Sequence, residues 1–346
     1  MFNTGTIIAS IIIFGLLIFV HEFGHYIVAK MARIRVLEFA VGFGKELLGW
    51  EKEGTRYTLR IFPLGGFCRL LGEDPQDPEE DAYQSGSFQE KSLISRLAVI
   101  AAGSLMNFLL GIVLFSLVYF LFLGVPQTGI TKVGEVLPQS RAEGAGLENG
   151  DIILSIDGEK MESWDDVVAY INASPDKEIS IQANRDNRDL LINVVPQKED
   201  ETGKGFIGIA PVYKKYALFP SIGLGITYTW LFVKLIFVSL AQMVTGQIPA
   251  DVAGPVGIVA VVGEVMQTGI GNLFTLAAII SINLGIINLL PIPALDGSKL
   301  IFLVLEGIRG KPIDPKKEGF IHFVGFTFLI LLMIFIAFQD IRRLFL

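Results

Sequence analysis

The sequence predicts a polytopic α-helical membrane protein, with four spans and a small β-rich domain inserted between the second and third. Two observations carry this. Of its 346 residues 51% are hydrophobic and only 18% charged, more apolar than a water-soluble chain of that length. Four apolar segments also approach or exceed the roughly 20 residues that a helix needs to cross a bilayer.

The first runs from Ile7 to Val20 and leads straight into His21-Glu22-Phe23-Gly24-His25, giving a helix of about 5–30. The opening residues lack the basic region of a secretory signal, so this run reads as a retained span. Leu97 to Val125 carries no charge, Leu273 to Leu295 is uncharged, and Phe320 to Phe338 contains only His322 among ionisable residues, extending a fourth helix to about 340. A fifth run, Leu218 to Val244, is interrupted by Lys234 and punctuated by Gly223 and Gly225. A charge at mid-bilayer costs about 2.5–3.5 kcal/mol, and the segment 214–271 is therefore expected to lie along the interface as an amphipathic stretch.

Lys and Arg concentrate between Lys30 and Arg96 and again between Lys299 and Lys317. Basic loops stay in the cytoplasm. Both share that side if the first helix enters from outside, the termini lie outside, and Leu218–Val244 makes no net crossing. The expected organisation is a membrane core over 1–126, a soluble domain over 127–213 placed outside, the interfacial segment, and a second membrane core over 272–346.

Within 127–213, short alternating strands at Ile152–Ile156, Glu178–Gln182 and Leu190–Val195 are separated by Gly, Asn and Asp turns. Ser163 before Trp164-Asp165-Asp166 is a helix N-terminus signal. In the cytoplasmic loop 31–96, Glu46–Glu51 and Thr55–Phe62 flank a hairpin turn at Lys52-Glu53-Gly54, and the acidic run Glu73–Asp81 reads as a solvated linker.

His21 and His25, two of only three histidines in the chain, stand four apart and share a helix face, where two imidazoles can grip one zinc ion. Glu22 between them can act as the base toward a water that the metal acidifies. Histidine pairs also occur without metal, but ionisable groups inside a membrane are costly and usually functional. A catalytic zinc takes a third protein ligand, for which Asp296, Glu306 and His322 are candidates. Asp296 follows the break Pro291-Ile-Pro293 at the same expected depth as the histidines; its bland alternative is a helix cap before Gly297, and that of His322 is a packed interfacial histidine. Asn107 and Asn283 can each bond a neighbouring helix. Asn288, beside carbonyls freed by the prolines, can instead hold a substrate backbone.

The net charge of −7 argues against a nucleic-acid partner. The single cysteine, Cys68, excludes an internal disulfide.

These residues resemble the bacterial site-2 protease family of the RseP and RasP type, intramembrane zinc metalloproteases. The likeness rests on His21-Glu-Phe-Gly-His25 and on Asn288-Leu-Leu-Pro291-Ile-Pro293-Ala-Leu-Asp296-Gly297. Val41-Gly-Phe-Gly44, Pro63-Leu-Gly-Gly-Phe67 and Ala253-Gly-Pro-Val-Gly-Ile258 are similar to further family elements. The resemblance implies His21, His25 and Asp296 as ligands of one catalytic zinc, Glu22 as general base, and substrate contacts at Asn288, Asn107, Pro291 and Pro293 and along a membrane-associated β-hairpin. Gly144 to Gly158 is similar to a PDZ signature, implying an extracytoplasmic PDZ domain that meets the outer segment or C-terminus of a substrate. The implied activity is cleavage of single-pass membrane proteins, already trimmed outside, such as anti-sigma factors or remnant signal peptides, in a bacterial inner membrane. A competing reading is a non-catalytic membrane PDZ scaffold, and a weaker one a zinc transporter.

Overall fold

The computed structural model describes residues 3–73, 85–122, 124–199, 202–248 and 253–345; most of the acidic run after Glu73 lies outside them. The chain divides into two compact units, one formed by Met1–Val118 with Leu218–Leu346 and the other by Tyr119–Ala217.

Helix α1 (Thr4–Met31) starts on an Asn3 cap, whose side chain accepts the Thr6 N–H. It is followed by two long antiparallel strands, β1 (Val36–Lys52) and β2 (Thr55–Leu70), joined by a two-residue turn in which Glu53 and Gly54 both have positive φ. The expected hairpin is there, but it doubles back on itself. Ala40 pairs with both Phe67 and Thr58, and Val41 with both Gly66 and Leu59, while Gly49 to Glu51 pair with Thr58 to Arg56. The two strands thus make four ladder segments, in the order 66–70, 36–41, 55–60, 46–52. Gly42, Gly44 and Gly65, all at positive φ, allow the bends that a side chain would resist.

Helix α2 (Leu93–Leu117) begins on a Ser92 cap and runs antiparallel to α1, since Gly24 meets Ala102 while His21 meets Asn107. The second unit then intervenes, with α3 (Arg141–Ala145) and α4 (Trp164–Asn172). The Ser163 signal is realised as a full capping box on Asp166. A four-stranded sheet orders Glu159–Lys160, Ile152–Ile156, Ile179–Arg185 and Arg188–Val194, so the three expected strands appear within a few residues of their expected bounds. Its core gathers Val133, Leu147, Ile153, Trp164, Val167 and Ile181.

One ion pair locks this unit. Asp151, fully buried, accepts from Arg185 Nε at 2.7 Å and Nη2 at 2.8 Å and from the Glu148 N–H. Burial pushes the Asp151 carboxyl upward, but these donors outweigh it and the net shift is down. Its contribution is therefore present above the ordinary aspartate value of about 3.9 and lost as pH falls through the lower folded value. Asp151→Asn is expected to cost about 2–3 kcal/mol at neutral pH and to flatten the acid loss, read by hydrogen exchange along Ile179–Arg185.

Back in the first unit come α5 (Leu218–Val244), α6 (Pro255–Gln267), α7 (Ile270–Leu289), α8 (Asp296–Arg309) and α9 (Pro315–Phe345). Among the described residues five helices, not four, are long and apolar enough to cross a membrane: α1, α2 with its extension to Phe122, α5, α7 and α9. The polytopic membrane fold stands. The interfacial expectation for Leu218–Val244 weighed Lys234 and the glycines as interruptions. The helix is continuous, Gly225 fits against Ile112 O and Ser116, Phe232 stacks on Phe115 at 5.4 Å, and Lys234 Nζ lies 5.6 Å over the Trp230 ring, where a long stem can carry the charge outward.

Two expectations are revised. The third span ends at Leu289, not 295, because the residue before Pro291 is steered out of the helical region. The basic stretch after it is the amphipathic helix α8, tied to α2 by the Arg96–Glu306 bidentate pair and Leu303. Gly111 meets Ile282 and Gly285 meets Ser104, so α7 runs parallel to α1 and opposite to α2. Met266 also touches Gly5. The chain between α2 and α7 consequently leaves and rejoins this bundle at the same end.

Candidate metal centre

His21 and His25 lie one turn apart on the α1 face turned to α2, each 8% exposed. α2 is shaped around them. A Cβ at Gly24 would sit 2.5 Å from Ala102 O, and one at Gly103 only 2.3 Å from His25 Nε2 and 2.8 Å from His21 Cε1. These two glycines let the helices approach until the imidazoles fill the gap.

The third group arrives from the break after α7. Leu290 leaves the helical region, and α8 starts at Asp296 with no side-chain cap. Gly297 lets the first turn of α8 rest on the carbonyls of Leu289 and Leu290, where a Cβ would come within 2.1 Å of Leu290 O. Asp296 is the first helical residue, so its carboxylate is not spent on capping.

Asp296 Oδ2 stands 3.2 Å from His21 Nε2 and 3.3 Å from His25 Nε2, and the two nitrogens are 3.3 Å apart. Three zinc ligands at tetrahedral positions, each about 2.0–2.1 Å from the ion, would be separated by about 3.3–3.4 Å, so the triangle fits. Its chemistry fits as well. His25 Nδ1 donates to Val99 O at 2.8 Å, which leaves the Nε2 lone pair facing the centre. Asp296 Oδ2 is buried and has no hydrogen-bond partner. A buried carboxylate oxygen converging with imidazole lone pairs calls for a cation.

Asn107, fully buried, stands 3.1 Å from His21 Nδ1, and its Oδ1 has no hydrogen-bond partner. A half-turn of the amide puts Oδ1 on a His21 Nδ1–H, the tautomer that frees Nε2. Its backbone carbonyl accepts from Ser281 Oγ at 2.8 Å.

Two cavities meet at this triangle, and both are lined by His21, Glu22, Ala294 and Asp296. The larger, about 840 Å³, adds Arg69, Glu73, Lys299, Glu318 and His322. Within it Lys299 Nζ bonds Glu73 Oε1 at 2.6 Å, and that carboxylate raises the lysine pKa, so the ammonium stays charged. The smaller, about 300 Å³, adds Ile18, Phe43, Gly65, Gly66, Leu284 and Asn288. Glu22 borders both, with a Cβ at Gly66 falling 3.4 Å from its Cγ.

A family model described as Peptidase family M50 matches residues 9–332. The chain belongs to peptidase family M50. The protease is 38% identical to the Regulator of sigma-W protease RasP of Bacillus subtilis (strain 168), over 99% of both chains. It is 35% identical to the Zinc metalloprotease RasP of Geobacillus kaustophilus (strain HTA426), again over 99% of both. Against the Probable protease eep of Enterococcus faecalis it is 32% identical, over 98% of this chain and 99% of that one. Among solved structures, the PDZ domain of an SdrC-like protein from Listeria monocytogenes aligns with 25% of this chain and 92% of its own at 25% identity, with a TM-score of 0.23. The protease is thus an intramembrane zinc metalloprotease of the site-2 type, which sets the scaffold and transporter readings aside.

The structure brings His21, Glu22, His25, Asp296 and Asn288 together around the two cavities. It keeps Asn107 behind the histidine, where full burial leaves it no cavity wall to line. Pro291 and Pro293 shape the break and line neither cavity. Glu306, weighed as a ligand, is committed to Arg96. The sequence assigns no role to the Val99 carbonyl or to Gly103; for Gly103 the signal is the small pair Gly103-Ser104, which marks a close helix contact.

Proposed function

We propose that His21, His25 and Asp296 hold one catalytic zinc, and that Glu22 serves as general base in cleaving a peptide bond of a single-pass membrane protein. The observation that carries this is the triangle of 3.2 to 3.3 Å edges beside Glu22. Held by His21, His25 and Asp296, zinc would supply Lewis acidity and lower the pKa of a water towards neutrality. Glu22 takes the proton of the attacking water and passes it to the departing amine. Asn107 and Val99 O hold the two imidazoles in the tautomers that face the centre.

A helix must unwind before it is cut, and its freed backbone groups need partners. Gly66 and Phe67, on the outer ladder of the doubled sheet, border the site and can add an extended substrate strand. Asn288 supplies an amide across the smaller cavity.

α9 meets Pro293 and Ala294 near its start and Gly254 and Gly257 at Asp340, while Met266 of α6 comes near Gly5, which supports Asn3 and Phe345 lying at the end of the bundle away from the metal. The basic loops support a cytoplasmic position for the metal end of an inner-membrane protein. Termini and the PDZ-like unit then lie outside, with no net crossing between Leu218 and Gln267. The PDZ-like unit meets the outer segment or C-terminus of a substrate already shortened there. The sigma-W relative supports anti-sigma factors as one substrate class, alongside remnant signal peptides.

The test is cleavage of a tagged single-pass reporter in detergent. Stripping zinc with a chelator is expected to abolish cutting, and added zinc to restore it. Stripped enzyme that cuts at the original rate would overturn the mechanism, and zinc-loaded enzyme inert on a panel of reporters would favour a binding role.

A further inference from the structure

The third histidine has no part in the triangle, yet it holds the loop that delivers Asp296. Ala294 sits two residues before Asp296 at φ +75, a left-handed conformation that a Cβ disfavours. Its N–H donates to His322 Nδ1 at 3.1 Å. Accepting there makes His322 the Nε2–H tautomer. The ring is itself fixed, edge-on to Phe302 of α8 with centroids 5.6 Å apart.

One turn further along α9 the same face presents Gly325. A Cβ there would lie 2.2 Å from Pro293 Cβ and 2.8 Å from Pro293 O. Residues three apart share a helix face, so His322 and Gly325 form one seat: the glycine lets Pro293 approach, and the imidazole takes the N–H of the next residue. The loop Pro293–Asp296 is then clamped between α9 and the first turn of α8. The Leu295 N–H bonds Ile292 O at 3.1 Å and the Ser298 N–H bonds Leu295 O at 3.1 Å, which carries the constraint on to Asp296.

We propose that His322 is a positioning residue for the metal ligand Asp296: by accepting the Ala294 N–H it stabilises a disfavoured backbone conformation and sets where the carboxylate points. This deepens, and rests on, the reading of His21, His25 and Asp296 as the zinc ligands. Groups that orient a ligand from outside its coordination shell commonly change metal affinity about 10–100-fold when removed.

The experiment titrates zinc into the full-length protein in detergent against a chromogenic chelator, for wild type, His322→Ala, His322→Asn and Asp296→Ala. His322→Ala is expected to weaken zinc binding about tenfold, with kcat recovering at excess zinc and KM little changed. His322→Asn, whose Oδ1 can accept in place of Nδ1, is expected to stay within about threefold of wild type. If the alanine variant does not fold, His322→Phe keeps the ring against Phe302, lacks the acceptor, and carries the same expectation. Wild-type zinc affinity in His322→Ala or His322→Phe, or an equal loss in His322→Asn, would overturn the proposal while Asp296→Ala still releases the metal. Zinc held as tightly by Asp296→Ala as by wild type would instead bring down the ligand reading itself.

Discussion

Glu22→Gln is expected to lower peptide cleavage by about a thousandfold or more while the protein keeps its zinc. The substitution preserves shape and removes only the ability to take up a proton. Glu22 is not a member of the 3.2 to 3.3 Å triangle; it borders both cavities and packs by Gly66. A glutamine there leaves two imidazoles and a carboxylate untouched. The assay pairs single-turnover cleavage of the reporter with metal content of the same preparation. Loss of cutting at full zinc occupancy separates the base from the ligands. Loss of both together would make Glu22 part of the metal shell, and retained cutting would move the base elsewhere.

Gly103→Ala carries the second large effect, and its direction is the reverse of what helix propensity alone predicts. Alanine favours an exposed helix interior over glycine by about 1 kcal/mol. At this position the added methyl falls 2.3 Å from His25 Nε2 and 2.8 Å from His21 Cε1, inside both imidazoles. His25 cannot simply swing away, because its Nδ1 is fixed on Val99 O, one turn before Gly103 on the same α2 face. We expect zinc affinity to fall about a hundredfold or more, with activity falling alongside. Thermal stability of the zinc-free protein is expected to fall as well, by about 1–3 kcal/mol, because the methyl overpacks the buried α1–α2 contact. A chelator competition series and a melting curve on the stripped protein test this together. Unchanged zinc affinity would mean that α1 and α2 can part without disturbing the site.

The parts that were legible in the sequence are those governed by a local period or a local break. A helix repeats every 3.6 residues, so His21 and His25 were bound to share a face. Prolines at 291 and 293 had to end a helix, which pointed to Asp296 as the group delivered by the interruption. Alternation marked the strands of the second unit, and Ser163 marked its helix. The rest depends on partners distant in the chain. No local signal says that Ala40 pairs on both sides, because the doubling rests on glycine bends and on the distant ladder partners Thr58 and Phe67. α8 opens on Asp-Gly-Ser-Lys, which reads as loop until Leu303 and the Arg96 pair give it a surface to lie on. Lys234 reads in the sequence as an interruption of an apolar run; only the folded helix shows its ammonium over the Trp230 ring. Asn107 and His322 show the same limit at the site: residue type suggested a polar contact, and only the packing of α2 and α9 determined which backbone or ring each would meet.

The triangle draws two corners from the first helix and the third from Asp296, which follows the second unit, α5, α6 and α7 in the chain. During synthesis the chain therefore carries a histidine pair long before it carries a complete centre. A nascent or truncated product that stops short of Asp296 can lodge in the bilayer and expose its sheet edge, yet it lacks the carboxylate that completes the centre. On the proposed ligand set, chain order therefore withholds the complete centre until Asp296 and the helix it opens have been made.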